Sequence, residues 1–173
     1  MNWMCSVLLI CSIFNPVMDY TNNEEFIQDV EICALHLNSM VDDEKRIPVN
    51  LAIAQAIHES NWGKSRFARE ANNLYGIRTF DSSEDQLKPL DNPNVTWGLR
   101  IFETKCESVS YYMWLLNYSH HYSEFREERL MQYAGDVVNL DKLALTLAIY
   151  SEDVYYTQKI IRTLKKLESY DRD

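Results

Sequence analysis

Gln55, His58 and Glu59 stand at i, i+3 and i+4 in the stretch from Leu51 to Gly63, LAIAQAIHESNWG, so they share one face if the stretch is helical. From Pro48 to Ile57 the chain is almost wholly apolar and too short to span a bilayer, which reads as a buried helix. Pro48 suits the first helical position, where a missing N–H costs nothing, and Gly63 suits the left-handed residue that ends the helix. Glu59 then lies near the end of an apolar helix, beside Trp62. A carboxyl with an apolar wall has its pKa raised, and a raised pKa is what a general acid near neutral pH needs. The same position equally suits a surface carboxylate at a helix end, and the helix alone does not choose between the two.

The elements around this helix follow from periodicity and caps. Thr21-x-x-Glu24 fits a capping box opening a helix to about Met40, with Phe26, Ile27, Val30, Cys33, Ala34, Leu37 and Val41 as its apolar stripe. Ser65 suits the cap of a short helix through Glu70, and Asn72, Asn73 and Gly76 mark an irregular loop that faces something. Residues 77 to 102 change character. Ile77–Phe80 against Val95–Phe102 reads as a small β-hairpin, with Trp97, Leu99 and Ile101 on one side and a long polar tip carrying Pro89 and Pro93. Thr104-x-x-Glu107 opens a helix to about Tyr118, with Val109, Tyr112, Met113 and Leu116 inward and Tyr111, Trp114 and Tyr118 outward. Asn139 or Asp141 opens another through Ile149. The last, Val154 to Leu167, is amphipathic and ends near Lys165 and Lys166. A small β-lobe beside a helical lobe makes a cleft, a preferred place for an elongated ligand.

Composition narrows the partners. The formal net charge of −9 argues against nucleic acid, which needs clustered Lys and Arg, and against electrostatic capture by an anionic wall. Recognition of a glycan would have to come from stacking and hydrogen bonds, for which 11 Tyr and 4 Trp suffice even if most are core. His120 and His121 have no metal spacing with nearby carboxylates, and neither a metal nor a cofactor is expected. The four cysteines, Cys5, Cys11, Cys33 and Cys106, match no zinc or redox motif; free buried thiols are favoured over a Cys33–Cys106 disulfide. Residues 3 to 14 form an apolar run of signal-peptide length, but no Lys or Arg precedes Lys45 and no small-x-small site follows. Leu8-Leu9-Ile10-Cys11 is a weak match to a lipoprotein signal. Residues 1–20 therefore stand open between a signal and a packing segment, with 21–173 as one domain and no stable membrane span.

The pattern Ala54-Gln55-Ala56, Glu59-Ser60, Trp62-Gly63, Ser65-Arg66-Phe67-Ala68-Arg69-Glu70 and Asn72-Asn73-Leu74-Tyr75-Gly76 resembles the core motif of the N-acetylglucosaminidases of glycoside hydrolase family 73. The resemblance is strongest to the Bax-type subgroup and weaker to the FlgJ-like flagellar domains. Downstream, Leu116-Asn117 with His120-x-Tyr122-x-x-Phe125-Arg126, and Tyr150-Ser151 with Tyr156, resemble further pieces, although His121 stands where the subgroup has Pro. The match covers roughly residues 46 to 167.

The resemblance implies a lysozyme-like α+β fold, mostly α, and an endo-β-N-acetylglucosaminidase that cleaves β-1,4 bonds in peptidoglycan as a monomer. Its catalytic acid falls on Glu59. Tyr150, which alone would read as a core tyrosine, becomes a second catalytic residue. Gln55, Trp62, Asn73, Tyr75, Trp97 and Tyr156 become substrate-binding candidates. Retaining and inverting glycosidases commonly add a second carboxylate. From the β-lobe that is Asp81, Glu84, Asp85 or Asp91, with no motif to choose between them, or else the substrate's N-acetyl group assists. A lysozyme or lytic transglycosylase, and a non-catalytic glycan-binding or assembly module, share the fold and remain alternatives. The place of action implied is the periplasm or cell envelope if the chain is exported, or a phage particle or lysis system.

Overall fold

The computed structural model of the protein describes Met18 and residues 20 to 170. Apart from Met18 and Tyr20, the N-terminal segment considered as a signal lies outside the described residues, as do Cys5 and Cys11.

Seven α-helices and three short strands are described. Helix α1 (Asn23–Asn38) starts one residue later than its sequence box suggests. Asn22 is the cap, accepting the Glu25 N–H at 2.9 Å, and Glu25 reaches back to accept the Thr21 N–H at 2.6 Å. Its stripe of Phe26, Val30, Cys33, Ala34 and Leu37 is buried. At about 1.5–3 kcal/mol for each large apolar side chain removed from water, that stripe rather than helix propensity holds α1 in place. Helix α2 (Val49–Ser60) is capped by Pro48 and buries Leu51 through Ile57 without a break. It packs between α1 and the last helix, α7 (Tyr156–Tyr170). A helix enclosed on several sides must be apolar all round, which is why it reads as a run rather than a stripe.

Helix α3 (Arg66–Glu70) is capped by Ser65, which accepts the Ala68 N–H at 3.1 Å. Helix α4 (Lys105–Tyr118) is capped by Thr104, and Glu107 accepts the Glu103 N–H at 2.7 Å. Its inward set of Val109, Tyr112, Met113 and Leu116 is buried as expected. Helices α5 (Ser123–Ala134) and α6 (Leu140–Leu145) follow, the latter capped by Asn139. A short 3-10 turn at Ala148–Tyr150 replaces the expected helical continuation to Ile149.

The small lobe is a three-stranded antiparallel sheet in the order β1-β3-β2, from β1 (Arg78–Thr79), β2 (Gln86–Leu87) and β3 (Gly98–Arg100). Arg78 faces Leu99 and Thr79 faces Gly98, the hairpin expected from the sequence, while Gln86 faces Arg100. The segment expected to be only a polar tip thus supplies a third strand. Ile101, expected on the side of Leu99, lies beyond the strand and is exposed. The architecture is mostly α with a small β-lobe, and a groove opens beside that lobe.

One expectation is corrected. Cys33 and Cys106, favoured as free thiols, form a disulfide that ties α1 to α4, with Cα atoms 5.8 Å apart. The two helices pack against each other and bring both buried cysteines into bridging range. A separation of 73 residues carries no local trace of that approach.

Candidate active site

The end of α2 is built to stop the helix sharply and leave Glu59 at its rim. Asn61, Trp62 and Gly63 take φ of 50°, 60° and 69°, three successive left-handed residues where the sequence pointed to Gly63 alone. For a bulky residue such as Trp62 this conformation is strained and needs surrounding support. Ser60 provides it, donating to the Ala56 carbonyl at 2.6 Å and accepting the Gly63 N–H at 2.7 Å. Gly63 is required for space as well as for φ, because a Cβ there would stand 1.9 Å from the Tyr20 hydroxyl oxygen.

Glu59 faces a groove of about 540 Å³. Its walls are Gly76–Arg78 from the loop and β1, Tyr111 and Leu115 from α4, Tyr122, and the segment Ile149–Glu152. Burial pushes the Glu59 pKa up to about 7, opposed in part by a hydrogen bond with the Tyr156 hydroxyl. The carboxyl therefore stays half protonated near neutral pH. Gly76, at φ 64°, makes the left-handed turn beside it, within 3.4 Å of Glu59 Oε2 when measured from an ideal Cβ position.

Behind the carboxyl runs a buried polar chain. Tyr156 accepts a hydrogen bond from Gln55 Nε2 at 2.7 Å, and the Gln55 oxygen accepts one from the Tyr112 hydroxyl. Tyr112 stacks on Tyr75 with centroids 4.1 Å apart, and the Tyr75 hydroxyl donates to the Ala52 carbonyl at 3.3 Å. Burial raises the phenol pKa values of Tyr112 and Tyr156 well beyond their ordinary range, so both remain neutral donors. Every buried polar group in this chain has a partner, the condition under which such a network rigidifies rather than destabilises.

Tyr150 lies on the groove and stacks parallel to Tyr156 at 5.9 Å. Its hydroxyl donates to the Tyr75 carbonyl at 2.8 Å, and burial together with the nearby Glu59 carboxyl raises its pKa well above the usual phenol value. Tyr150 thus ties the segment after α6 to the loop that carries Gly76.

The other substrate-binding candidates divide. Gln55, Asn73, Tyr75 and Tyr156 are buried and face protein neighbours, so as placed they shape the site from beneath rather than line the groove. Asn73 illustrates this. Its amide donates to the Ile77 and Arg100 carbonyls, both at 2.9 Å, and its oxygen accepts the Ile77 N–H, closing the turn and fastening it to the sheet. Trp62 packs near Phe26 and lines a different cavity, of about 370 Å³, with His58, Asn61 and Lys166. Trp97 lies at the edge of the β-lobe, with the Arg78 guanidinium 4.2 Å over its ring.

The β-lobe carboxylates stand off the groove. Asp81 accepts hydrogen bonds from Ser83, and these hold its pKa down. Glu84 pairs with Arg100 at 2.6 Å and accepts from the Thr79 hydroxyl. Asp85 and Asp91 are exposed and outside the groove wall. The carboxylate that shares the wall with Glu59 is Glu152, which sequence reasoning passed over. Its signal was proximity to Tyr150, two residues earlier. Tyr122 and Arg78 were likewise missed as groove residues; Tyr122 lies close enough to Glu59 for that carboxyl to help raise its pKa to about 12. Among the described residues there is no cluster of three or more His, Cys, Asp or Glu side chains able to hold a metal.

The family model described as "Mannosyl-glycoprotein endo-beta-N-acetylglucosaminidase" matches residues 39–169. Protein bax of Escherichia coli K12 is 33% identical over 92 residues, which is 53% of this chain and 32% of that protein, so the match spans about a third of the relative's length. The glycoside hydrolase domain of Salmonella typhimurium FlgJ superposes with a TM-score of 0.64 at 19% identity, covering 88% of this chain and 92% of that one. The catalytic domain of the Listeria monocytogenes autolysin Auto superposes with a TM-score of 0.63 at 17% identity, covering 100% of this chain and 98% of that one. At these identities the structural likenesses speak for the fold.

Proposed function

We propose that this chain, which belongs to the glucosaminidase family and is a glycoside hydrolase, is an endo-β-N-acetylglucosaminidase of peptidoglycan in which Glu59 is the general acid. The observation that carries the reading is a carboxyl with its pKa raised to about 7, set on the wall of an open groove of about 540 Å³. Protonated Glu59 gives its proton to the glycosidic oxygen as the bond to the sugar's anomeric carbon breaks. The leaving sugar departs as a neutral alcohol, and positive charge develops on the ring that stays behind. Tyr156 then stabilises the new Glu59 carboxylate through its hydrogen bond, and Gln55 and Tyr112 keep that hydroxyl aimed.

Tyr150 faces the same groove and keeps its proton, so it presents a neutral oxygen to the reacting sugar while its O–H holds the Tyr75 carbonyl. The second carboxylate role is assigned to Glu152 rather than to the β-lobe acids, because it shares the groove wall with Glu59. There it deprotonates the water that attacks the anomeric carbon, and the proton count closes when Glu152 gives that proton up to solvent and Glu59 takes one back from it. The disulfide supports an exported, oxidising place of action such as the periplasm or cell envelope.

The test is digestion of purified sacculi followed by identification of the new reducing ends. N-acetylglucosamine at those ends is expected. Reducing N-acetylmuramic acid would instead assign a lysozyme, and anhydro-muropeptides a lytic transglycosylase. Glu59→Gln is expected to abolish lysis.

A further inference from the structure

The groove beside Glu59 has one cationic side chain on its walls among the described residues, and that residue, Arg78, has no acidic partner. The chain as a whole is acidic, and its other sheet arginine is engaged. Arg100 pairs with Glu84 at 2.6 Å and lies 4.5 Å over the ring of Tyr111. Arg66, which closes on the same lobe, is bonded to Glu70 and to the Lys88 carbonyl. Arg78 forms neither a hydrogen bond nor an ion pair with any described residue; Glu152, on the same groove, does not pair with it. What holds Arg78 is the face of Trp97, 4.2 Å from the guanidinium carbon.

That arrangement has a specific chemical meaning. Stacking uses the face of the guanidinium plane and leaves its in-plane N–H fork unspent. The ring also fixes the side chain, so less rotamer freedom is lost when the fork takes a ligand. A fixed fork fits a carboxylate bidentately, and a lysine at the same place would not.

We infer that Arg78, braced by Trp97, is a subsite for a carboxylate carried by the substituents of the glycan, and that it makes the groove prefer anionic strands to neutral ones. The inference rests on the reading that this groove takes a glycan. The carboxylate has two sources, the lactyl acid of a muramic residue whose peptide has been removed, or an acid of the peptide arm when that is present.

Binding is measured on the Glu59→Gln protein, so that the result does not depend on which bond is cut. Its partner is the Glu59→Gln protein that also carries Arg78→Gln. Three ligands are used: neutral N-acetylated chitooligosaccharide, peptide-free glycan strands, and peptide-bearing strands. Removing Arg78 is expected to lower the ratio of anionic to neutral affinity about tenfold, the scale of one lost charge-assisted hydrogen bond. Added salt should shrink that ratio in the Arg78 protein and leave it nearly flat in the variant. A fall confined to peptide-free strands assigns the lactyl acid, a fall confined to peptide-bearing strands assigns an acid of the peptide, and a fall on both shows a subsite that takes either carboxylate. An equal loss on all three ligands, or no loss on either anionic one, overturns the subsite. Wall lysis that survives Glu59→Gln would overturn the assignment of the acid and not the subsite, which the three binding ratios decide by themselves.

Discussion

Glu59 should cost the protein stability around neutral pH, and the cost can be measured. Its pKa rises from an ordinary 4.5 to about 7 on folding, chiefly because burial penalises the charged form. Between those two values the folded protein binds a proton that the unfolded chain has already released. Stability therefore falls as pH rises through this window, and the penalty is complete above the folded pKa. Carried through the linkage relation, the rise is worth about 3 kcal/mol. Glutamine keeps the shape and can still accept the Tyr156 hydrogen bond, but never ionises. Glu59→Gln should match the parent in stability at pH 4.5 and exceed it progressively toward pH 8, by up to about 3 kcal/mol. For a domain of this size that is about 6–12 °C in Tm. Paired thermal melts of parent and variant across that range form the assay, and groups common to both proteins cancel in the difference. A difference independent of pH, or one that grows toward acid, would refute the claim that Glu59 is held dry against its own charge. The same reasoning places the alkaline limb of hydrolysis near pH 7, where the acid form runs out.

Tyr156→Phe removes the one contact that lowers the Glu59 pKa, so the alkaline limb of the pH–rate profile should move to higher pH, provided melts show the helix pair intact. Gly76→Ala forces a side chain into a left-handed position in the turn beside the Glu59 carboxyl, and should reduce kcat far more than it changes sacculus binding. Glu152→Gln should lower kcat on sacculi about a hundredfold, the low end for a lost acid–base group, while Asp85→Asn and Asp91→Asn stay within twofold. Reduction of the Cys33–Cys106 bond should destabilise the fold by about 2–4 kcal/mol, read from denaturant midpoints with and without reductant; an unchanged midpoint would mean the bridge is absent in solution.

What could be read from the chain and what could not divide along one line, local pattern against long-range approach. The caps at Ser65, Thr104 and Asn139, the apolar run of α2 and the stripe of α1 are local, and each appears where its pattern puts it, within a residue or two. Glu59 was legible for the same reason, since its position at the end of an apolar helix is what raises its pKa. The partners of Gln55 lie 57 and 101 residues away, and no spacing announces that its amide would bridge two tyrosines instead of meeting a sugar. Glu152 was obscured by a different effect. Polar composition drew attention to the long β-lobe segment, yet its acids are spent on the lobe's own turns and ion pairs, as Asp81 and Glu84 show.

The dense stretch of motif around Glu59 gains a physical reading from this. Gln55 and Tyr75 support the Glu59 carboxyl from behind, Asn73 fixes the turn, Gly76 supplies its left-handed residue, and Ser60 with Gly63 locks the strained helix end. Most of these residues touch one another rather than open space. They specify a housing that keeps one carboxyl dry and aimed, a task that tolerates few substitutions because every buried polar atom in it needs its partner. The groove residues that would meet a strand without taking part in proton transfer, Arg78, Tyr111 and Tyr122, come from three separate segments with no common spacing. On the proposed reading, substrate preference can then vary by changes at these positions while Glu59 and its surroundings stay as they are. A chimera that exchanges only these three side chains for those of another member of the family should therefore keep the alkaline pH limb of this protein and take on the glycan preference of the other. A limb that moved with the exchanged groove would show that the housing alone does not set the acid's pKa.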